Sequence, residues 1–211
     1  MKKNKISKNW IIKQHRDIYF KKSKIEGYRS RSAFKLIDID KKFNFLKKNM
    51  DLLDLGAFPG GWSQVARKKI KKGKILAVDL QKMKKIFNVN FLNLDLRDNN
   101  TKEKINTFFE GKKIDAVISD MAANTSGSKN HDAIQTGELC LNAMDISLDI
   151  LNHEGVFLSK LFMGSVFNEI NTKAKKCFKK VAIYKPESSR KQSREIYIYC
   201  KGLLNSYTSE K

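Results

Sequence analysis

Apolar residues along the chain fall into two kinds of block: short unbroken runs that end in glycine or aspartate, and longer stretches with apolar positions three or four apart. The first kind is the pattern of buried strands and the second that of helices lying against them. Leu52, Leu53 and Leu55 make a first strand, and 74–79, 89–95, 113–120 and 155–160 make four more. Helical periods run over 62–70, 133–151 and 166–178. Two last strands, 181–185 and 195–200, are joined by the polar, basic stretch 186–194. That connection is too short for a helical crossover, so the two should pair antiparallel. The alternation predicts an α/β fold, a mostly parallel sheet with an antiparallel C-terminal edge hairpin. At 211 residues the chain suits one well-cored domain and is short for two.

The strand ends carry the chemistry. The first strand runs into Gly56, Pro59, Gly60 and Gly61 before the helix at Trp62. Glycine at 56 and 60 lets backbone approach a bound molecule, and amides at the helix start can face a carboxylate. Asp79 closes the second strand roughly 20 residues past that loop, where doubly wound folds place an acid for ribose hydroxyls. Asp95 and Asp120 close the third and fourth strands, and Lys160 the fifth. Three acids at one sheet edge form a site pattern, although each alone could be a helix cap. Upstream, Ser30 or Ser32 can cap a helix with Phe34, Ile37 and Ile39 on its apolar face. Lys35 lies among those apolar positions, where a lysine ordinarily snorkels to the surface.

Charge changes the picture next. Lys and Arg number 43 against 22 acids, a formal charge of +21. Such a field attracts polyanions, so nucleic acid is the expected partner, although the abundance of Lys, Asn and Ile also bears the mark of an AT-rich genome. Residues 2–24 mix lysines with Trp10, Tyr19 and Phe20, which suits phosphate contact and base stacking or, equally, an amphipathic helix that buries Trp10. Residues 1–15 lack acids but carry no arginine and run straight into patterned sequence, a basic arm rather than a transit peptide. The expected organisation is an arm over 1–27, a domain over 28–203 and a polar tail over 204–211. No apolar run approaches membrane-spanning length, so no membrane partner is expected. Cys140, Cys177 and Cys200 are scattered and odd in number, as are His15, His131 and His153, so neither a disulfide frame nor a metal site is expected.

Four segments together resemble one family: Gly27-Tyr-Arg-Ser-Arg-Ser-Ala-Phe-Lys35, Asp54-Leu-Gly-Ala-Phe-Pro-Gly-Gly-Trp-Ser-Gln64, Ser119-Asp-Met-Ala-Ala-Asn-Thr-Ser-Gly127, and Pro186-Glu-Ser-Ser-Arg with Ser193-Arg-Glu195. In these, from about Trp10 to Gly202, the chain is similar to the FtsJ/RrmJ family of S-adenosylmethionine-dependent RNA ribose 2′-O-methyltransferases. It departs at Ala123, where proline is usual, and at Phe58, where a small residue is common. The resemblance implies a Rossmann-like seven-stranded methyltransferase sheet and a catalytic tetrad at Lys35, Asp120, Lys160 and Glu195. It places S-adenosyl-L-methionine against Gly56, Gly60, Trp62, Asp79, Asp95 and Asp120, with Asp79 on the ribose and Asp95 on the adenine amino group.

Methylating a hydroxyl needs alignment of oxygen and sulfonium methyl and removal of one weakly acidic proton. Lys160 is the candidate base if neutral, and Lys35 can instead stabilise a developing alkoxide. A cysteine nucleophile for carbon methylation and an Asn/Asp-Pro-Pro-aromatic loop for amine methylation are both missing around Asp120. The implied substrate is a uridine of large-subunit (23S) ribosomal RNA, within the 50S subunit or its precursor. The alternatives are a transfer RNA anticodon loop or a non-catalytic RNA-binding assembly factor. Arg29, Arg31, Arg190, Lys191 and Arg194 are the candidate RNA contacts, each otherwise an ordinary solvated cation. A monomer in a bacterial cytoplasm, or an organelle matrix if eukaryotic, completes the expectation.

Overall fold

The computed structural model describes residues 18–98, 100–122 and 129–204, without the side chains of 129 and 130. Trp10, His15 and residues 123–127 of the Ser119–Gly127 motif, Ala123 included, lie outside the described residues.

A seven-stranded sheet forms the middle layer. Its strands are β1 (Leu52–Leu55), β2 (Ile75–Asp79), β3 (Asn90–Asn93), β4 (Ile114–Ser119), β5 (Leu151–Phe162), β6 (Phe178–Tyr184) and β7 (Glu195–Leu203), in the order β3-β2-β1-β4-β5-β7-β6. Strands β1 to β5 are parallel, and β7 slots antiparallel between β5 and β6. The expected mostly parallel sheet with an antiparallel C-terminal hairpin is therefore the observed one.

Alternate strand residues enter opposite layers. Leu53, Leu55, Val78 and Val117 face one core with α4 (Asn100–Phe108), α5 (Lys129–Ile150) and α6 (Phe167–Cys177). Leu52, Ala77, Ala116 and Ile118 face the other with α2 (Ala33–Phe43) and α3 (Gly61–Lys69). A helical stretch over 18–25, α1, leads into α2. The three cysteines, scattered in sequence, all pack in the first core.

Local details differ from the sequence pattern. Ser32 is the N-cap of α2 but makes no capping hydrogen bond, because its hydroxyl and that of Ser30 bond each other at 2.7 Å. Helix α4 has no counterpart in the apolar pattern: it buries only Thr101 and Ile105, too few positions to show a period. Strand β5 extends well beyond 155–160 through a register shift opposite Ile114 and Ala116.

Candidate active site

The C-terminal ends of β1, β2, β3 and β4 meet at one edge of the sheet, where the loop into α3 turns through Gly56 (φ 72°) and Gly60 (φ 111°). Only glycine adopts such angles without strain. A Cβ on Gly60 would stand 2.8 Å from both Ile86 Cδ1 and Met83 Sδ, so the 80–87 loop folds directly onto this turn. A Cβ on Gly56 would collide with the Met121 side chain. Met121 thus supplies a reason for glycine at 56 that the sequence does not show.

Asp79 leaves β2 with its carboxylate clamped: Phe58 N–H donates to Oδ2 and Gln81 N–H to Oδ1, each at 2.8 Å. Both oxygens keep lone pairs toward the edge, the disposition a diol needs. Asp95 has already been claimed. Arg97 reaches it from Nη2 at 2.6 Å and from Nε at 3.0 and 3.1 Å, and those hydrogen bonds hold the carboxyl below its usual value. An adenine amino group would have to share it with Arg97. The Trp62 indole is buried in the second core, donating from Nε1 to Ser32 O at 2.9 Å and leaning on Tyr197. Only the backbone of Trp62, at the start of α3, is placed to meet a ligand.

The four residues of the expected tetrad come together as two ion pairs. Lys35, from α2, donates to Glu195 Oε2 at 2.8 Å, and the side chains are only 12% and 13% exposed. Lys160, from β5, donates to the Asp120 carbonyl at 2.5 Å and lies 3.1 Å from Asp120 Oδ1, with exposures of 8% and 15%. Tyr197 links the pairs. It is the register partner of Lys160 on β7, its fully buried hydroxyl donates to Asp120 Oδ1 at 2.8 Å, and its ring lies 5.9 Å from Lys35 Nζ. Burial pushes the Asp120 carboxyl up, but Lys160, then Lys35, and the hydrogen bonds from Tyr197 and Lys160 outweigh it, so Asp120 is held below its usual value. Burial first, and then the Asp120 charge, push the Tyr197 phenol well above its own. The result is an ionised carboxylate, a phenol that stays protonated, and two lysine side chains facing the same edge.

Tyr197 and Asp54 are the site residues that the sequence pattern hid. Asp54 sits within the apolar run of β1, fully buried beneath the glycine loop. Ser63, in α3, donates to its Oδ2 at 2.6 Å, while Oδ1 has no hydrogen-bond partner. Burial pushes the Asp54 carboxyl up to about 7, with Asp120 and Asp79 adding to the rise and the Ser63 hydroxyl offsetting part of it. An orphaned buried carboxylate oxygen under a ligand loop has room for one donor.

The expected RNA contacts divide. Arg190, Lys191 and Arg194 project from the exposed β6–β7 loop. Arg29 is a strut: its guanidinium donates to the carbonyls of Pro59 (3.3 Å), Lys84 (2.6 Å) and Lys85 (2.8 Å), tying the 80–87 loop to the glycine turn. Arg31 donates from Nη2 to Ser188 O at 2.7 Å, and Asp38 accepts from Ser188 N at 2.9 Å, so α2 holds the β6–β7 loop that leads into Glu195. Phe58 is 45% exposed on the rim beside Asp79. Among the described residues, no group of His, Cys, Asp and Glu is placed to hold a metal ion, and no helix is long and apolar enough to cross a membrane.

Comparison with known proteins gives this geometry its relatives. The family described as FtsJ-like methyltransferase matches over residues 28–203. The Ribosomal RNA large subunit methyltransferase E of Pelagibacter ubique is 51% identical over 201 residues, covering 95% of this chain and 98% of the relative. Its namesake in Rickettsia akari is 46% identical over 198 residues, 91% and 87% of the two chains. Among solved structures, a ribosomal RNA methyltransferase from Plasmodium falciparum superposes with a TM-score of 0.77 at 37% identity, covering 84% of this chain and 99% of that one. A Streptococcus mutans protein described as a methyltransferase, solved with SAH, shares the fold alone, with a TM-score of 0.52 at 17% identity over 80% of this chain and 97% of that one.

Proposed function

The chain belongs to the FtsJ-like methyltransferase family, and on that premise we propose that it transfers a methyl group from S-adenosyl-L-methionine to the ribose 2′-hydroxyl of a uridine in large-subunit (23S) ribosomal RNA, within a late 50S particle. The observation that carries the choice of a hydroxyl is the paired tetrad: two buried lysines, each on a carboxylate, at the open edge of the sheet. The three cysteines support it by their position. All are buried in the core, and burial raises Cys140 to about 11 and Cys200 well above its usual value, so none is a nucleophile for carbon methylation. The printed names of the relatives support the large-subunit substrate.

The residues present fit the methyl donor. Asp79 is oriented for a ribose diol, the first amides of α3 face the edge, and Asp54 Oδ1 is an acceptor awaiting a donor. When bound, S-adenosylmethionine supplies an electrophilic sulfonium methyl. The protein's own task is then alignment, which can lower a barrier by about 7–11 kcal/mol, together with proton removal. Lys160 takes the 2′-hydroxyl proton once its own has left, and Asp120 and Tyr197 fix the direction of its amine. Lys35, held by Glu195, faces the same oxygen and offsets its growing negative charge. Arg190, Lys191 and Arg194 grip phosphates beside the acceptor.

The test is transfer of tritium from labelled S-adenosylmethionine to large subunits from cells lacking the protein, beside deproteinised ribosomal RNA and bulk transfer RNA, with wild type and Lys160→Ala. Label in the large subunit, mapped to a 2′-O-methyluridine and reduced about 10²–10⁴-fold in the variant while donor affinity holds, is the expected result. Label in transfer RNA alone would replace the substrate. Absence of label anywhere, with donor still bound, would leave a non-catalytic RNA-binding factor. Near-normal single-turnover methylation by Lys160→Ala would remove Lys160 as the base.

A further inference from the structure

At the end of the sheet opposite the tetrad, the loops entering β1, β2 and β4 are rich in lysine. Three of these lysines are engaged. Lys74 and Lys112 share Glu110 at 2.6 and 3.0 Å, and Lys113 donates to Asp149 O at 2.6 Å. Lys47, Lys48, Lys71 and Lys72 are exposed, and among the described residues they have no carboxylate partner. The backbone holds these two Lys-Lys pairs together: the amides of Lys71 and Lys72 both donate to Lys48 O, at 2.7 and 3.1 Å. Next to them, Gly73 lies so close to Met50 that any Cβ would collide with the Met50 carbonyl. Four like charges are thus gathered on two loops tied together by backbone, while the nearby Glu110 and Asp51 are engaged with Lys74 and Lys112.

From this we infer that the face is a second docking surface, one that takes the phosphate backbone of an RNA segment separate from the one whose nucleotide enters the tetrad. The inference rests on the RNA reading above. Seven residue steps of extended chain, from Lys113 to Asp120, separate the two ends of the sheet, about 23 Å at the rise of a strand. That is nearly three times the screening length of about 8 Å at physiological salt, so each end attracts a polyanion independently. The flanking chemistry favours RNA over a lipid surface. The loops carrying the four lysines expose no large apolar side chain, and a membrane-binding face needs a row of them. Arg67 donates to both Gly73 O and Asn88 O, which joins the second lysine loop to the segment entering β3. Clustered exposed lysines without apolar side chains match the way a phosphate backbone is held, by charge alone.

The experiment compares the wild-type chain with a Lys47→Gln/Lys48→Gln/Lys71→Gln/Lys72→Gln variant, after confirming equal denaturation midpoints. The probes are large subunits from cells lacking the protein, the shortest large-subunit RNA fragment that the wild type labels, and phosphatidylserine vesicles. On the particle, the slope of log K against log salt should flatten by about 3, with KM raised about tenfold or more and kcat unchanged. On the short fragment neither should move. An unchanged slope and KM on the particle overturns the inference. Vesicle binding stronger than subunit binding, and lost in the variant, overturns it in favour of a membrane. If the wild type labels no RNA yet binds subunits with a slope that the variant flattens, methylation fails and the docking surface stands.

Discussion

Replacing Asp54 by asparagine should make the protein more stable at neutral pH, even though it removes a charged residue from the heart of the site. The wild-type carboxyl is fully buried, and its value rises from the usual 3.8 to about 7. Between those limits the folded chain keeps a proton that the unfolded chain releases. Stability therefore falls as pH rises from about 4 to about 7, and is flat beyond either end. At about 1.4 kcal/mol per pH unit the whole window is worth about 4 kcal/mol, of which about 2.3 lies between about pH 5 and pH 7, where the carboxyl becomes half ionised. Asparagine has nearly the same shape, still accepts the Ser63 hydrogen bond, and never ionises. Urea denaturation of both proteins at about pH 5, 6, 7 and 8 isolates the effect, because every other titrating group is shared. The variant's advantage should grow by about 2.3 kcal/mol from about pH 5 to pH 7 and level off by about pH 8. Parallel curves would show that Asp54 is ionised throughout and that its lone oxygen is solvated in solution.

Two further substitutions probe the supports of the site. Tyr197→Phe deletes a hydrogen bond that helps hold Asp120 below its usual value, so the carboxyl should rise and the acid limb of the kcat profile should move to higher pH, with KM for the donor unaffected. A limb that stays in place would show that the lysines alone keep Asp120 ionised. Arg29→Ala cuts three bonds to the carbonyls of Pro59, Lys84 and Lys85. It should cost about 2–4 kcal/mol of stability by chemical denaturation and weaken donor affinity in calorimetry, with no change in the salt dependence of RNA binding; a flattened salt slope would instead make Arg29 a phosphate contact.

The central strands β1, β2 and β4 could be read from the sequence because they are buried on both faces and therefore appear as apolar runs. Helix α4 escaped because a helix pinned by two side chains leaves no period to detect. The tetrad residues stood in recognisable motifs, but their grouping depends on β7 entering between β5 and β6, an order that no local signal encodes. Asp54 was concealed by its leucine neighbours, and Tyr197 resembles any strand aromatic until its hydroxyl is traced to Asp120. Arg29 shows the converse limit. A cation that braces a loop and one that waits for phosphate have the same sequence signature, and only the positions of the carbonyls tell them apart.

The central position of β7 also sets an order in time. Each of its two neighbours precedes it in the chain, so a nascent polypeptide that has folded everything through β6 lacks Glu195 and Tyr197 and leaves the edge of β5 unpaired. At that moment Lys35 has no counter-ion, Asp120 lacks its phenol, and the open edge is a template for pairing with another chain. Insertion of the final strand pairs the open edge of β5 and completes the contacts of the proposed reactive centre in one event. A half-made molecule therefore lacks the complete tetrad, and the first conformer that has it is also the first in which the β5 edge is paired.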